Sequence, residues 1–234
     1  MIQANCRAQF TADDFSFVVR VLSKSPRDAV SLVALLSDEA ERDAVLDHDL
    51  VYHSVVDQLG CLQVSAAFYF YILTRRVLRR ASLDERALTD YVAAVLLAFS
   101  RTSQLRAMDG APSTAPSGFA YISDILLRLG TSSPEQAYLL RRNLANYALF
   151  LSGMFADRVH AHAQRRGAPG LSFYEAVGQA SFLSVARHPQ SKRTDLSGIF
   201  ELLGSEFHRV RVALNDLTDT LLHFQAAPAI IRPS

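Results

Sequence analysis

Apolar positions along the chain recur at spacings of three and four, the period of a helix with one buried face. Short polar stretches that carry helix-start chemistry separate them. Thr11 stands three before Asp14, Ser25 precedes Pro26 with Asp28 following, and the pairs Ser82 and Glu85, Ser133 and Gln136, and Ser172 and Glu175 fit capping-box spacing. The pattern predicts helices near 12–23, 26–36, 38–46, 49–58, 62–81, 83–100, 119–129, 134–165, 172–187 and 197–224. No strand is expected, because Val, Ile and Thr form no alternating runs and no Asn-Gly or Asp-Gly turn separates two apolar stretches.

Two predicted helices stand out as central. In 62–81 Val64 and the run Ala66 through Leu73 are apolar on every side, and 134–165 repeats this where Tyr147 to Leu151 lead to Met154 and Phe155, so both require burial all round and are expected to be neighbours. In 197–224, Ile199, Leu203, Phe207, Val210, Leu214, Leu217, Leu221 and Phe224 make one stripe, a seam for a partner helix of this chain or of a second copy. The expected fold is all-α: a single multi-helix bundle of about nine to ten helices around two buried central helices, closed by a long C-terminal amphipathic helix. One domain over 1–234 is expected, with a mobile loop near 101–117, where Gly110, Pro112 and Pro116 gather, between halves 11–100 and 118–224.

Composition adds a globular class and removes others. The chain has 234 residues, half of them hydrophobic, with 10 Gly and 8 Pro, which excludes disordered and collagen-like classes. A net charge of +1 gives no whole-molecule attraction to nucleic acid or anionic membrane. Cys6 and Cys61 are too few for a disulfide scaffold, and the first 20 residues carry Arg7, Asp13, Asp14 and Arg20 with no apolar run of signal length. A cytoplasmic location is therefore expected. The longest charge-free stretch, 58–74, includes Gln58, Gly60, Gln63, Ser65 and Thr74 and falls short of a membrane span. Among the 24 basic residues only Lys24 and Lys192 are Lys; an Arg bias of this kind follows GC-rich codon usage and points to a bacterium, although Arg also suits capture of phosphate or carboxylate.

The candidate chemistry lies in three groups. Arg75, Arg76, Arg79 and Arg80 close the first central helix, where cations complement the helix dipole; Arg76, Arg79 and Arg80 are a candidate surface for a partner or anion. Arg142, Asn146, Tyr174 and Glu175 are polar residues inside apolar helix segments, and an Arg142–Glu175 pair bridged by Asn146 or Tyr174, with Arg75 as a further wall, would form a pocket for a small anionic or polar ligand or tie two helices together. Asp157 and His160, one turn apart, are the weak candidates for a metal; His162 points elsewhere by about 200°. Asp216, Asp219 and His223 share a face opposite the apolar seam, turned toward water. Neither His-Glu-x-x-His nor Gly-x-Ser-x-Gly occurs, and there is no Walker or dinucleotide-binding glycine motif. No cofactor is expected.

The segments Phe68–Arg76 (FYFYILTRR), Asp90–Phe99 (DYVAAVLLAF), Tyr147–Phe155 (YALFLSGMF) and Ser172–Phe182 (SFYEAVGQASF) resemble patterns of an all-helical group of bacterial proteins. The resemblance covers about half the chain and implies a bacterial helical fold; it carries no activity and no site. The leading expectation is a non-enzymatic adaptor, regulator or assembly subunit acting through protein contacts, as a heteromer or a homodimer through the C-terminal helix. A small-ligand receptor and a helical metalloenzyme are the alternatives.

Overall fold

A computed structural model describes residues 2–57, 63–101 and 118–226. The fold is all-helical, and no strand occurs among the described residues. After a 3₁₀ turn at Arg7–Gln9 come four short helices, α1 (Ala12–Leu22), α2 (Pro26–Ser37), α3 (Glu39–Leu46) and α4 (Asp49–Val56). The pair α5 (Ala66–Arg80) and α6 (Arg86–Arg101) follows. Then come α7 (Gly118–Leu129), α8 (Pro134–Met154), α9 (Ala156–Arg166), α10 (Leu171–Ala186), α11 (Pro189–Arg193), α12 (Ser197–Ser205) and α13 (Phe207–Ala226). Cys61 and the breaker-rich stretch 102–117 lie outside the described residues.

Several starts follow the capping chemistry of the sequence. Thr11 and Asp14 exchange side chain-to-backbone bonds in a full capping box, as do Ser133 and Gln136, and the Ser25 hydroxyl accepts from the Asp28 N–H with Pro26 at the first helical position. Two expected starts differ. α10 opens at Leu171 behind Gly170 with no side-chain cap, so Ser172 lies inside the helix. Ser82 ends α5 instead of starting α6: it sits in the left-handed region at φ 57°, its N–H bonds Arg79 O at 2.9 Å, and Leu83 N–H bonds Leu78 O at 2.9 Å. That is a Schellman closure of α5 followed by buried Leu83, and in it Ser82 does not have the extended backbone of an N-cap for α6, which begins at Arg86.

Two long predicted helices are each broken. The stretch 134–165 divides at Phe155, which leaves helical geometry at φ −133° and ψ 39° and sets its ring edge-on to Phe150 at 5.4 Å. Buried α8 ends there, and mostly polar α9 turns away along the surface. The stretch 197–224 divides at Glu206, where the change of direction seats Phe207 against α10.

The two central helices are not neighbours. α5 packs on α6 and α13, α8 packs on α10 and α13, and α13 thus stands between them. Leu203, Phe207, Val210, Leu214 and Leu217 are fully or almost fully buried, so the seam as far as Leu217 closes within the chain. Leu221 and Phe224 have side chains outside the description. Phe182 of α10 stacks on Phe200 of α12, which meets the edge of Tyr91 from α6 at 5.3 Å.

Gly178 is what lets α13 approach α10. A Cβ there would lie 2.2 Å from the ring of buried Phe207. Gly178→Ala should therefore destabilise the fold by about 1–3 kcal/mol through overpacking, although Ala is favoured by about 1 kcal/mol in an unhindered helix. Urea unfolding of the two proteins checks this, and an unchanged or higher midpoint in the variant contradicts it.

Candidate functional site

The basic end of α5 is bound to the chain's own acids. Arg75, buried, holds Asp47 in a two-bond fork, Nε to Oδ1 and Nη2 to Oδ2, each 2.9 Å, and donates through Nη1 to Asp84 O at 3.2 Å. It also pairs with the Asp84 carboxylate. Burial works against its charge, but the bond and charge of Asp47 outweigh it and hold the Arg75 pKa above its ordinary value. Arg79 adds pairs to Asp47 at 3.3 Å and Asp84 at 3.8 Å. Arg76 pairs with Asp49 and lies 5.3 Å over the Tyr52 ring. Arg80 is exposed and has no ion pair among the described residues. Asp47 follows α3, Asp49 opens α4 and Asp84 lies in the α5–α6 turn, so the cluster straps three elements together.

The expected pocket residues are divided between two places. Glu175 on α10 turns toward α13: Oε1 accepts from Arg211 Nε and lies 2.9 Å from His208 Nδ1. Arg211 in turn donates to Asn215 Oδ1, and Asn215 Nδ2 reaches Ser152 O and Gly153 O at 2.9 and 2.5 Å. That chain of bonds serves carbonyls at the C-terminal turn of α8, which have no partner within their own helix. Tyr174 is buried beside it, its phenol pKa pushed up by that burial. Arg142 and Asn146 lie elsewhere, buried on α8, where the Tyr91 hydroxyl of α6 donates to Asn146 Oδ1 at 2.9 Å. Arg75 belongs to neither group, since its guanidinium is committed to Asp47 and Asp84.

The metal candidates are not assembled into a ligand set. His160 Nε2 lies 2.9 Å from the side-chain amide of Gln164 on exposed α9. Among the described residues no group of three or more His, Cys, Asp or Glu is arranged to hold a metal ion. Asp216 and Asp219 are exposed, and the His223 side chain lies outside the description.

The feature that the sequence reading passed over is α2. Of its 12 residues only Leu36 is buried, while Val30, Val33 and Leu35 are 72%, 54% and 38% exposed. Between α1 and α2 runs a groove of about 650 Å³ lined by Phe15, Val19, Val33 and Leu36, with Arg20 and Arg42 at its rim. Several polar groups there have partners in the chain. Ser16 and Ser37 hydroxyls donate to Ala12 O and Val33 O at 2.9 and 2.8 Å, Arg42 Nε to Leu36 O at 2.7 Å, and Arg20 Nη2 to Gln63 Oε1 at 2.6 Å. The sequence signal was the crowding of Val30, Leu32, Val33, Leu35 and Leu36 into one short helix, wider than a single buried stripe.

No family model matches the chain, and neither a curated protein nor a solved structure matches it.

Glu175 generates a pH prediction. Burial raises its pKa, but the bonds from His208 and Arg211 outweigh burial and hold it below the ordinary carboxyl value of 4.5. The stability it lends is complete above that value and is lost as pH falls through the lower folded value. Glu175→Gln should cost about 1–2 kcal/mol at pH 7, with the gap to the parent protein narrowing when the pH is brought below the ordinary carboxyl value of 4.5. Urea unfolding at the two pH values measures this; an equal gap at both contradicts it.

Proposed function

We propose that the chain is a non-enzymatic binding protein that receives the apolar face of a partner helix in the α1–α2 groove. The observation that carries this reading is the exposure of Val33 in the groove, with exposed Val30 three residues before it, on a helix that buries Leu36 alone. A contiguous apolar face of this kind costs free energy in water and is retained where a partner covers it. The walls specify the occupant. Both are helices whose backbone groups bond within themselves, so an extended peptide would find no ladder of backbone partners there for its own N–H and C=O groups. A helix brings its backbone bonds already made and offers side chains at spacings of three and four, which suits a groove between two helices. The ion pairs of Arg76 and Arg79 favour this surface over the basic end of α5.

A photo-reactive benzoylphenylalanine placed at position 33 in the full chain, expressed in its own host, tests the reading. Adducts should map to one partner segment whose apolar residues step by three and four, and Val30→Asp should lower their yield about tenfold, the equivalent of about 1.4 kcal/mol of lost affinity. Val30 is exposed, so that substitution leaves the fold intact. Adducts to lipid or to an extended segment would overturn the proposal, as would a yield no greater than from the same probe at exposed Glu39.

A further inference from the structure

Tyr138, Arg142 and Asn146 recur every fourth residue along α8 and form a buried polar stripe, with 3%, 3% and 0% of each residue exposed. Its two oxygen atoms have partners. The Tyr138 hydroxyl meets Ser191 Oγ at 3.3 Å and its ring stacks on His188 at 4.6 Å. Asn146 Oδ1 accepts from Tyr91. Its nitrogens are a different matter: Arg142 Nε and Asn146 Nδ2 are fully buried and have no hydrogen-bond partner.

Both of these groups are donors, and one carries a full positive charge. The Arg142 guanidinium lies 5.6 Å from the Tyr138 ring centroid, a cation–π contact that offsets only part of the cost of taking the charge out of water. Among the described residues no carboxylate pairs with Arg142. Asp90 on α6 and Glu175 on α10 are committed elsewhere: Asp90 accepts the Arg7 N–H at 2.7 Å, and Glu175 is held by Arg211. Nor does Tyr91 supply the counter-charge, because burial pushes its phenol pKa well above the ordinary value and keeps it protonated.

We propose that Arg142 Nε and Asn146 Nδ2 are the two donors of a buried site for one small anion. The complement of a cation and an unpaired N–H donor one helical turn away on the same face of α8 is an acceptor with negative charge. The burial of both side chains limits it to a halide or a carboxylate of formate size. This site is separate from the α1–α2 groove, and its occupation would fix α8 against α6 and the α10–α11 joint.

Thermal unfolding of the full chain at constant ionic strength tests the site, with sodium chloride or sodium formate replacing sodium gluconate, whose anion is too large to enter. A saturable rise in Tm is expected, about 5–10 °C at a concentration one hundred times Kd. The rise should vanish in Arg142→Met. Asn146→Leu, which keeps the cation and removes one donor, should shift the half-saturating concentration upward by about tenfold; this variant keeps the test decisive if Arg142→Met does not fold. A response to chloride alone identifies a halide site, and a response to formate a carboxylate site. Coincident curves in all three salts would overturn the proposal, as would a non-saturating rise that persists in Asn146→Leu.

Discussion

Everything in this fold is arranged around the burial of α13. Phe207, Val210, Leu214 and Leu217 are removed from water between α5 and α8, and each such side chain is worth about 1.5–3 kcal/mol when fully buried. Close approach sets the terms. A Cβ at Gly178 would strike Phe207, and one at Gly153 would lie 2.9 Å from Leu214, so α13 meets both α10 and α8 at positions that carry no side chain. The break at Glu206 follows from the same constraint, because an unbroken helix from 197 onward would not serve both the α12 contacts with α10 and the α13 contacts with α5 and α8.

Electrostatics then divides the molecule into a satisfied part and an unsatisfied one. Asp43 takes Arg7 and Arg86, Asp47 takes Arg75 and Arg79, Asp49 takes Arg76, and Glu175 takes Arg211. The exposed pairs contribute little individually, but the buried fork of Arg75 on Asp47 anchors the joint between α3 and α4 to the core. With these cations engaged inside the chain, the surface most in need of a partner is apolar α2, and the buried group most in need of one is Arg142.

The helical class, most helix positions and the buried seam were readable because they depend on residues within a few turns of one another. Thr11, Ser25 and Ser133 cap as their neighbours dictate. What could not be read depends on contacts between distant segments. Nothing local to Phe155 or Glu206 marks a break; Ser82 is a different case, where two local signals compete and the Schellman closure of α5 prevails over the N-cap spacing. The same holds for the site: Arg142 and Asn146 share a face because they are four apart, a local fact, whereas the partners of Glu175 lie more than 30 residues away on α13.

Amide hydrogen exchange of the chain, alone and bound to the segment it captures, tests the central claim most directly. Alone, α2 should exchange through low-energy opening while α5, α8 and α13 open only near the global unfolding free energy; on binding, protection should rise in α1 and α2 and stay unchanged at the Arg76–Arg80 end of α5. An α2 as protected as α8 in the free protein would contradict the account. So would protection gained at the end of α5 with α2 unaltered.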